Sequence, residues 1–381
     1  MTPPKPSRKD CPPIGQASWT LPPDLAGVSF MFTPQAVTAI YKSNRAMLDR
    51  VLELEKALIG RFYGMEDAVR CMMLSAMTGE AMVMIGPPGT AKSRLIRAFC
   101  SLIGVLDHDP REQDKGTDGA TAKKDERYFE YLLTQFTEPS ELFGYFDLSK
   151  LMDQKDPRLE RNVLGQMQRA EVVFLDEVFN ASSAILNALL TFMNERKFHD
   201  RGVVYPTPLK MLFGATNHPP REEGLGAVYD RFLLRCRMEN APAGHDAISR
   251  LLSAAWTETH SHADAGQGHF KDLPDVLEIY RDAIETMTTE GKLVVDPLGK
   301  ALPHLAAMVA MVRTKELSEM SNRRLVKFSA IVLAEALLRS AQADAAEAEI
   351  LPRDLGVILT YGLDQDDPGT VAKMRQDLLL G

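Results

Sequence analysis

A chain of 381 residues has room for two or three domains, and 45% hydrophobic with 25% charged residues is the balance of a globular protein rather than a disordered or fibrous one. Its 44 basic residues are outnumbered by 52 acidic ones, a net charge of −8 that excludes a general attraction to nucleic acid or anionic lipid and leaves only a local basic patch open. No apolar run has the length of a membrane span or the placing of a secretory signal, and Cys11, Cys71, Cys100 and Cys236 show no paired spacing, so they are expected to be reduced thiols of a cytoplasmic protein.

Residues 1–36 form an extension whose first part is rich in Pro and poor in apolar residues, which predicts a solvated tail, with a docking arm as the alternative. Apolar residues recur at helical spacing from Pro34 to Leu58. Arg61-Phe62-Tyr63-Gly64 interrupts this pattern, and Glu66 to Met77 reads as a further helix. Ala81 to Ile85 reads as a buried strand that runs into Gly86-Pro87-Pro88-Gly89-Thr90-Ala91-Lys92-Ser93-Arg94, where a helix opens. A turn of this composition points backbone N–H groups inward, and the helix start adds the positive end of its dipole. Lys92 is then placed for outer phosphates and the Ser93 hydroxyl for magnesium. Ala91 stands where the general phosphate-loop pattern has glycine, so the turn must either avoid a positive φ there or carry strain.

Residues 107–127 read as a polar loop before a Tyr128–Leu132 strand. The segment from Pro139 to Gly165 carries Leu142-Phe143-Gly144-Tyr145-Phe146, apolar residues that either face out to grip a partner or fold against the body of the domain. Val172-Val173-Phe174-Leu175 is apolar and bounded by charge, the signature of a strand covered on both faces, and it ends in Asp176-Glu177. Ligands bind at that end of such strands, so the pair is either a solvated strand end or a magnesium-side acid followed by a water-activating one. Lys197 to Pro206 alternates like a hairpin with Asp200-Arg201-Gly202 at its tip. Met211 to Thr216 is another apolar strand, ending in Asn217. Tyr229-Asp230-Arg231-Phe232-Leu233-Leu234-Arg235 offers Arg231 first and Arg235 second as an arginine that neutralises phosphoryl charge, or else a plain Asp–Arg helix pair. Beyond Pro242 the pattern is helical over Ala247–Ala255, Leu273–Met287, Pro297–Val312 and Asn322–Arg339. His260, His262 and His269 lie in a Gly- and Ala-containing stretch that reads as a polar loop rather than a metal site.

Taken together, GPPGTAKS, FLDE, ATN and YDRF resemble the AAA+ ATPases and, within them, the MoxR family; the segments from Phe129 to Gly144, Ile185 to Phe198 and Ser321 to Leu325 are most similar to its RavA-type branch. The resemblance covers roughly residues 45 to 365 and implies a five-stranded parallel α/β core over residues 37–240, with an insert in its second helix and a hairpin before the first sensor, then an α-helical lid over 241–381. It implies ATP and Mg2+ as cofactors, held by Gly86 to Arg94 with Ser93 and Asp176 on the metal side and Tyr63 and Gly64 near the base. Lys92, Glu177, Asn217 as first sensor, Arg231 as a finger from the neighbouring copy and Arg323 as second sensor, with Arg324 as rival, are implied as the catalytic set. It further implies a ring, most simply a hexamer, that remodels or activates a client protein or assists cofactor insertion, with a von Willebrand factor A domain protein as adaptor. A nucleic-acid translocase is the alternative; the acidic balance and the lack of a nucleic-acid module speak against it.

Overall fold

The computed structural model describes residues 34–106, 127–152, 159–200, 203–220, 223–260, 268–289, 301–365 and 367–378. The first 33 residues, the 107–126 loop, the Arg201-Gly202 hairpin tip and His262 therefore lie outside the described residues. Helices α1 (Pro34–Ser43), α2 (Arg45–Ile59) and α3 (Glu66–Thr78) lead to β1 (Met82–Ile85) and α4 (Lys92–Leu102). Then follow β2 (Tyr128–Leu132), α5 (Pro139–Phe143), α6 (Leu148–Leu151), β3 (Val172–Asp176), α7 (Ser183–Glu195), β4 (Lys197–Asp200), β5 (Val203–Pro206), β6 (Met211–Thr216), α8 (Gly226–Arg231) and β7 (Leu234–Arg237). The rest is helical: α9 (His245–His260), α10 (Leu273–Thr289), α11 (Leu302–Thr314), α12 (Asn322–Gln342), α13 (Gly356–Tyr361) and α14 (Pro368–Asp377). The helix expected from Pro34 to Leu58 is broken at Asn44, whose side-chain amide donates to the Ile40 carbonyl at 2.8 Å and competes with the helical ladder.

The expected five-stranded parallel sheet is present, in the order β2-β3-β6-β1-β7, with β1 paired to β6 and β7 in parallel register, Met82 opposite Phe213 and Leu234. Strands this apolar are stable only when both faces are covered, and alternation along them feeds two separate cores. Met82, Met84, Phe174, Phe213 and Cys236 pack with α2, α3, α4 and the C-terminal helices. Val83, Ile85, Val173, Leu175 and Leu212 pack with α5, α7 and α8. The first core crosses residue 240, so the all-helical part shares its interior with the sheet and with the N-terminal helices. Tyr41 on α1, for example, donates its hydroxyl to the Ala345 carbonyl at 2.9 Å. The hairpin expected over Lys197 to Pro206 is β4 paired antiparallel with β5.

Candidate functional site

The loop between β1 and α4 is fixed by contacts that only small residues permit. A Cβ on Gly86 would lie 2.3 Å from the Met238 carbonyl oxygen, and Gly89 has a φ of +87°. Thr90 braces the turn by donating its hydroxyl to the Pro87 carbonyl at 2.9 Å. Ala91 takes the strained option, with a φ of +58°, a left-handed conformation that costs a non-glycine residue roughly 1–2 kcal/mol. That turn delivers Lys92 and Ser93 as the first residues of α4, at the end of the sheet where β1 stops. The Lys92 ammonium folds back into the loop and donates to the carbonyls of Gly86 at 2.6 Å and Pro87 at 3.1 Å and to Asn217 Oδ1 at 3.4 Å. Burial lowers its pKa from the usual lysine value, and the nearby charges of Asp176 and Glu177 oppose that shift.

The acids arrive on β3, beside β6 and one strand away from β1. Ser93 Oγ donates to Asp176 Oδ2 at 3.2 Å, and Asp176 Oδ1 accepts the Glu177 N–H at 3.0 Å. Glu177 is itself left-handed, with a φ of +50°, which turns its carboxylate out of the strand direction. Asn217, at the end of β6, donates its amide to Glu177 Oε1 and so bridges the Glu177 carboxylate to Lys92. The other carboxylate oxygen, Oε2, accepts from Asn180 Nδ2 at 3.3 Å. Asn180 is a residue that sequence reasoning missed; the available signal was an amide three positions beyond the acid, on a 3₁₀ turn that points back at it. Among the described residues no cluster of three His, Cys, Asp or Glu side chains builds a protein-only metal cage. The oxygen pair of Ser93 and Asp176 suits instead a small hard cation whose remaining ligands are phosphates and water, as Mg2+ prefers. Tyr63 and Gly64, expected near a base, sit half-buried and exposed on the turn before α3, where Gly64 has a φ of +73°. Arg94 is exposed on the first turn of α4.

The arginines are not brought to this loop. Arg196, just past α7, donates to the carbonyls of Leu209 and Gly79, both at 2.9 Å and both just ahead of the starts of β6 and β1. The last turn of α7 therefore lies at the edge of the sheet where strands begin. Arg323 donates to Asn194 Oδ1 on that turn, and Lys327 pairs with Glu80 at 2.5 Å on the same edge. Arg231 closes α8 shortly before β7 begins and lies near enough to Arg323 for that charge to add to burial in lowering its pKa. A four-residue strand alone spans roughly 13 Å, so the structure sets Arg231 and Arg323 together at one edge and Lys92, Ser93, Asp176 and Glu177 at the other. The rivals Arg235 and Arg324 are each 2% exposed and are tied up inside the chain.

The apolar residues after β2 divide between the two readings. Leu142 and Phe143 are buried, with Phe143 stacked on Phe198 of the hairpin at 4.6 Å between ring centroids. Phe136, Tyr145, Leu148 and Met152 are exposed, as are Val204 and Tyr205 on β5.

Comparison with known proteins bears on family and fold. A model of the MoxR domain in the MoxR-vWA-beta-propeller ternary systems matches residues 48–109 and 119–276. An uncharacterized protein of Methanocaldococcus jannaschii is 36% identical over 206 residues, 54% of this chain and 48% of that protein. The protein MoxR of Paracoccus denitrificans is 25% identical over 224 residues, 58% of this chain and 59% of its own. The chain thus spans about half the length of these curated relatives. A crystal structure of a candidate ATPase from Cytophaga hutchinsonii aligns over 91% of this chain and 96% of its own with a TM-score of 0.54 at 16% identity, a likeness of fold alone.

Proposed function

The chain belongs to the MoxR family of AAA+ ATPases, and on that premise we propose that it hydrolyses ATP with Mg2+ at the seams of a cytoplasmic ring of identical copies, most simply a hexamer. The observation that carries this reading is the division of charge across the sheet: the phosphate loop and acids occupy one edge, and Arg231 with Arg323 occupy the other. A single copy supplies its own nucleotide site with no guanidinium from this pair, while a neighbour stacked head to tail supplies both. Lys92, exchanging the Gly86 and Pro87 carbonyls for phosphate oxygens, gains a fully charged partner. Ser93 and Asp176 would hold a magnesium ion, which would supply neutralisation of phosphate charge. Glu177 orients the attacking water and takes its proton, and Asn217 holds that carboxylate against the lysine. Arg231 and Arg323 of the next copy neutralise charge that develops on the transferred phosphoryl group. Tyr63 and Gly64 lie against the base. In this reading residues 37–240 form the nucleotide-binding unit and 241–381 the helical lid.

The output we propose is mechanical work on a client protein, delivered through the exposed residues after β2 and on β5, with a von Willebrand factor A domain protein as adaptor. The matched family description names such a partner, and the sequence resemblance of the Ile185 to Phe198 segment, α7 with the start of β4, supports the RavA-type branch. Steady-state hydrolysis by Glu177→Gln tests the chemistry. The variant should bind ATP normally and turn over about 10²–10⁴-fold more slowly; equal rates would remove Glu177 from the mechanism. Lys92→Ala should lose ATP binding. A strictly monomeric species with full activity would end the trans-acting reading.

A further inference from the structure

Behind Arg231, two more arginines are buried where the α/β part meets the helical part. Arg235 donates Nη2 to the Tyr229 carbonyl at 2.9 Å and Nε to the Phe232 carbonyl at 3.2 Å, and its guanidinium lies 3.8 Å from the centre of the Tyr229 ring. Those two carbonyls bracket Arg231 in the chain. From the helical side, Arg324 donates Nη1 to Ser318 Oγ at 3.0 Å and Nη2 to the Gly362 carbonyl at 2.5 Å. One carboxylate stands between the two cations. Asp364, in the turn after α13, forms an ion pair with Arg235 Nη1 and lies 3.3 Å from Arg324 Nη1. Its backbone is pinned as well, since the Asp364 carbonyl accepts from Arg237 Nη2 at 3.1 Å and its N–H donates to the Leu317 carbonyl at 3.0 Å. Asp230, the neighbour of Arg231, faces Arg324 Nε at a looser 3.9 Å.

Two buried guanidiniums sharing one close carboxylate are a poor way to gain stability, because desolvation offsets most of the Coulomb attraction. They are a good way to fix a position. Arg231, by contrast, is held weakly within its own chain: Nη1 is 3.5 Å from Asp230 Oδ2, and its buried Nε has no hydrogen-bond partner among the described residues. We infer that Asp364 and Arg235 are positioning residues for Arg231. The carboxylate from the helical part fixes Arg235, Arg235 clamps the carbonyls on either side of Arg231, and the Arg231 guanidinium is thereby aimed at the nucleotide of the neighbouring copy. The aim of the finger then depends on how the helical part is seated, so a shift of the 362–365 turn by one hydrogen-bond length releases the clamp. This inference rests on the trans-acting reading of Arg231.

The test uses the full chain with Asp364→Asn, Asp364→Glu and Arg231→Ala, measuring affinity for a fluorescent ATP analogue, assembly size by light scattering, and kcat and KM for ATP. Asp364→Asn should keep ATP affinity and assembly and lose about 100-fold in kcat, the usual penalty for misplacing a catalytic group by about 1 Å. Asp364→Glu should recover part of that loss. Mixing Asp364→Asn with Lys92→Ala should restore hydrolysis, because the first supplies an intact phosphate loop and the second an intact Arg231. Should Asp364→Asn fail to fold, the double variant Arg235→Met with Asp364→Leu removes one buried cation together with the carboxylate and leaves Arg324 its bonds to Ser318 and Gly362 and its pairing with Asp230; it should fold, remain slow and be rescued by the same mixing. Wild-type kcat in Asp364→Asn or in the double variant, with Arg231→Ala inactive, overturns the inference. So does loss of ATP affinity or assembly in parallel with kcat, which marks a merely structural pair. Normal turnover by Arg231→Ala removes the trans-acting reading instead.

Discussion

Gly86→Ala probes how the phosphate loop is held. The added Cβ meets the Met238 carbonyl oxygen at 2.3 Å and the Met238 Cβ at 3.0 Å, whereas ordinary van der Waals contact begins at 3.4 Å. Neither side yields easily. The Gly86 N–H donates to the Thr216 carbonyl at 3.1 Å, and the Met238 N–H donates to the Ile85 carbonyl at 2.8 Å, so the loop start is tied to β6 and its obstacle is tied to β1. Relief needs a displacement of about 1 Å, with an overpacking penalty of about 1–3 kcal/mol. The same displacement moves the Gly86 carbonyl that holds Lys92 at 2.6 Å and the N–H groups that follow it. Losing one charge-assisted hydrogen bond to phosphate, about 1.5–3 kcal/mol, weakens ATP binding about 10- to 100-fold. Titration with a fluorescent ATP analogue and a thermal melt read the two effects separately. Gly89→Ala is the contrasting variant, because a Cβ there meets nothing within 4 Å and only the φ of +87° is strained; its affinity should fall less. Affinity within about threefold of wild type and an unchanged melt for Gly86→Ala would refute the argument that close approach to β7 sets the loop.

Asn180→Ala removes the donor to Glu177 Oε2 and should slow hydrolysis about tenfold with ATP affinity unchanged; an unaltered rate in a steady-state assay would show that Asn217 alone orients the base. Arg323→Ala should lose turnover and recover it when mixed with Lys92→Ala; recovery with Arg231→Ala but not with Arg323→Ala would place Arg323 in service of its own copy. Glu55→Gln should change stability at pH 7 by less than about 1 kcal/mol, because Arg70 keeps its pairing with Glu335 at 2.9 Å. Burial raises the Glu55 pKa, with Glu335 adding to the shift and Arg70 opposing it. The folded wild type therefore takes up a proton before the unfolded chain does, and it gains stability relative to the variant as pH falls from 7 towards the ordinary glutamate value of about 4.3. Urea melts across that range check the sign, and a pH-independent difference would refute it.

The phosphate loop, the acid pair, four of the five strands of the sheet and the hairpin were legible in the sequence, because each is specified within about ten residues; β7 (Leu234–Arg237) was not, since two of its four residues are arginines and its segment read only as an arginine pattern. A strand covered on both faces must be apolar along its length, and a phosphate-cradling turn must be small and feed a helix. Ala91 was the local exception: its composition allowed either sign of φ, and the fit of the loop between β6 and β7 decided for the strained one. Where each arginine lies and what it contacts was not legible. Arg231 and Arg235 lie four residues apart, as neighbouring members of one short pattern, yet one is left half-buried with spare donors and the other is enclosed by Asp364, a residue 129 positions further along the chain. Arg323 and Arg324 are adjacent, but the turn of α12 points the first at the end of α7 and the second into the interior. A guanidinium's role depends on which distant carboxylates and carbonyls surround it, and only the packing of the helical part against the sheet brings those together.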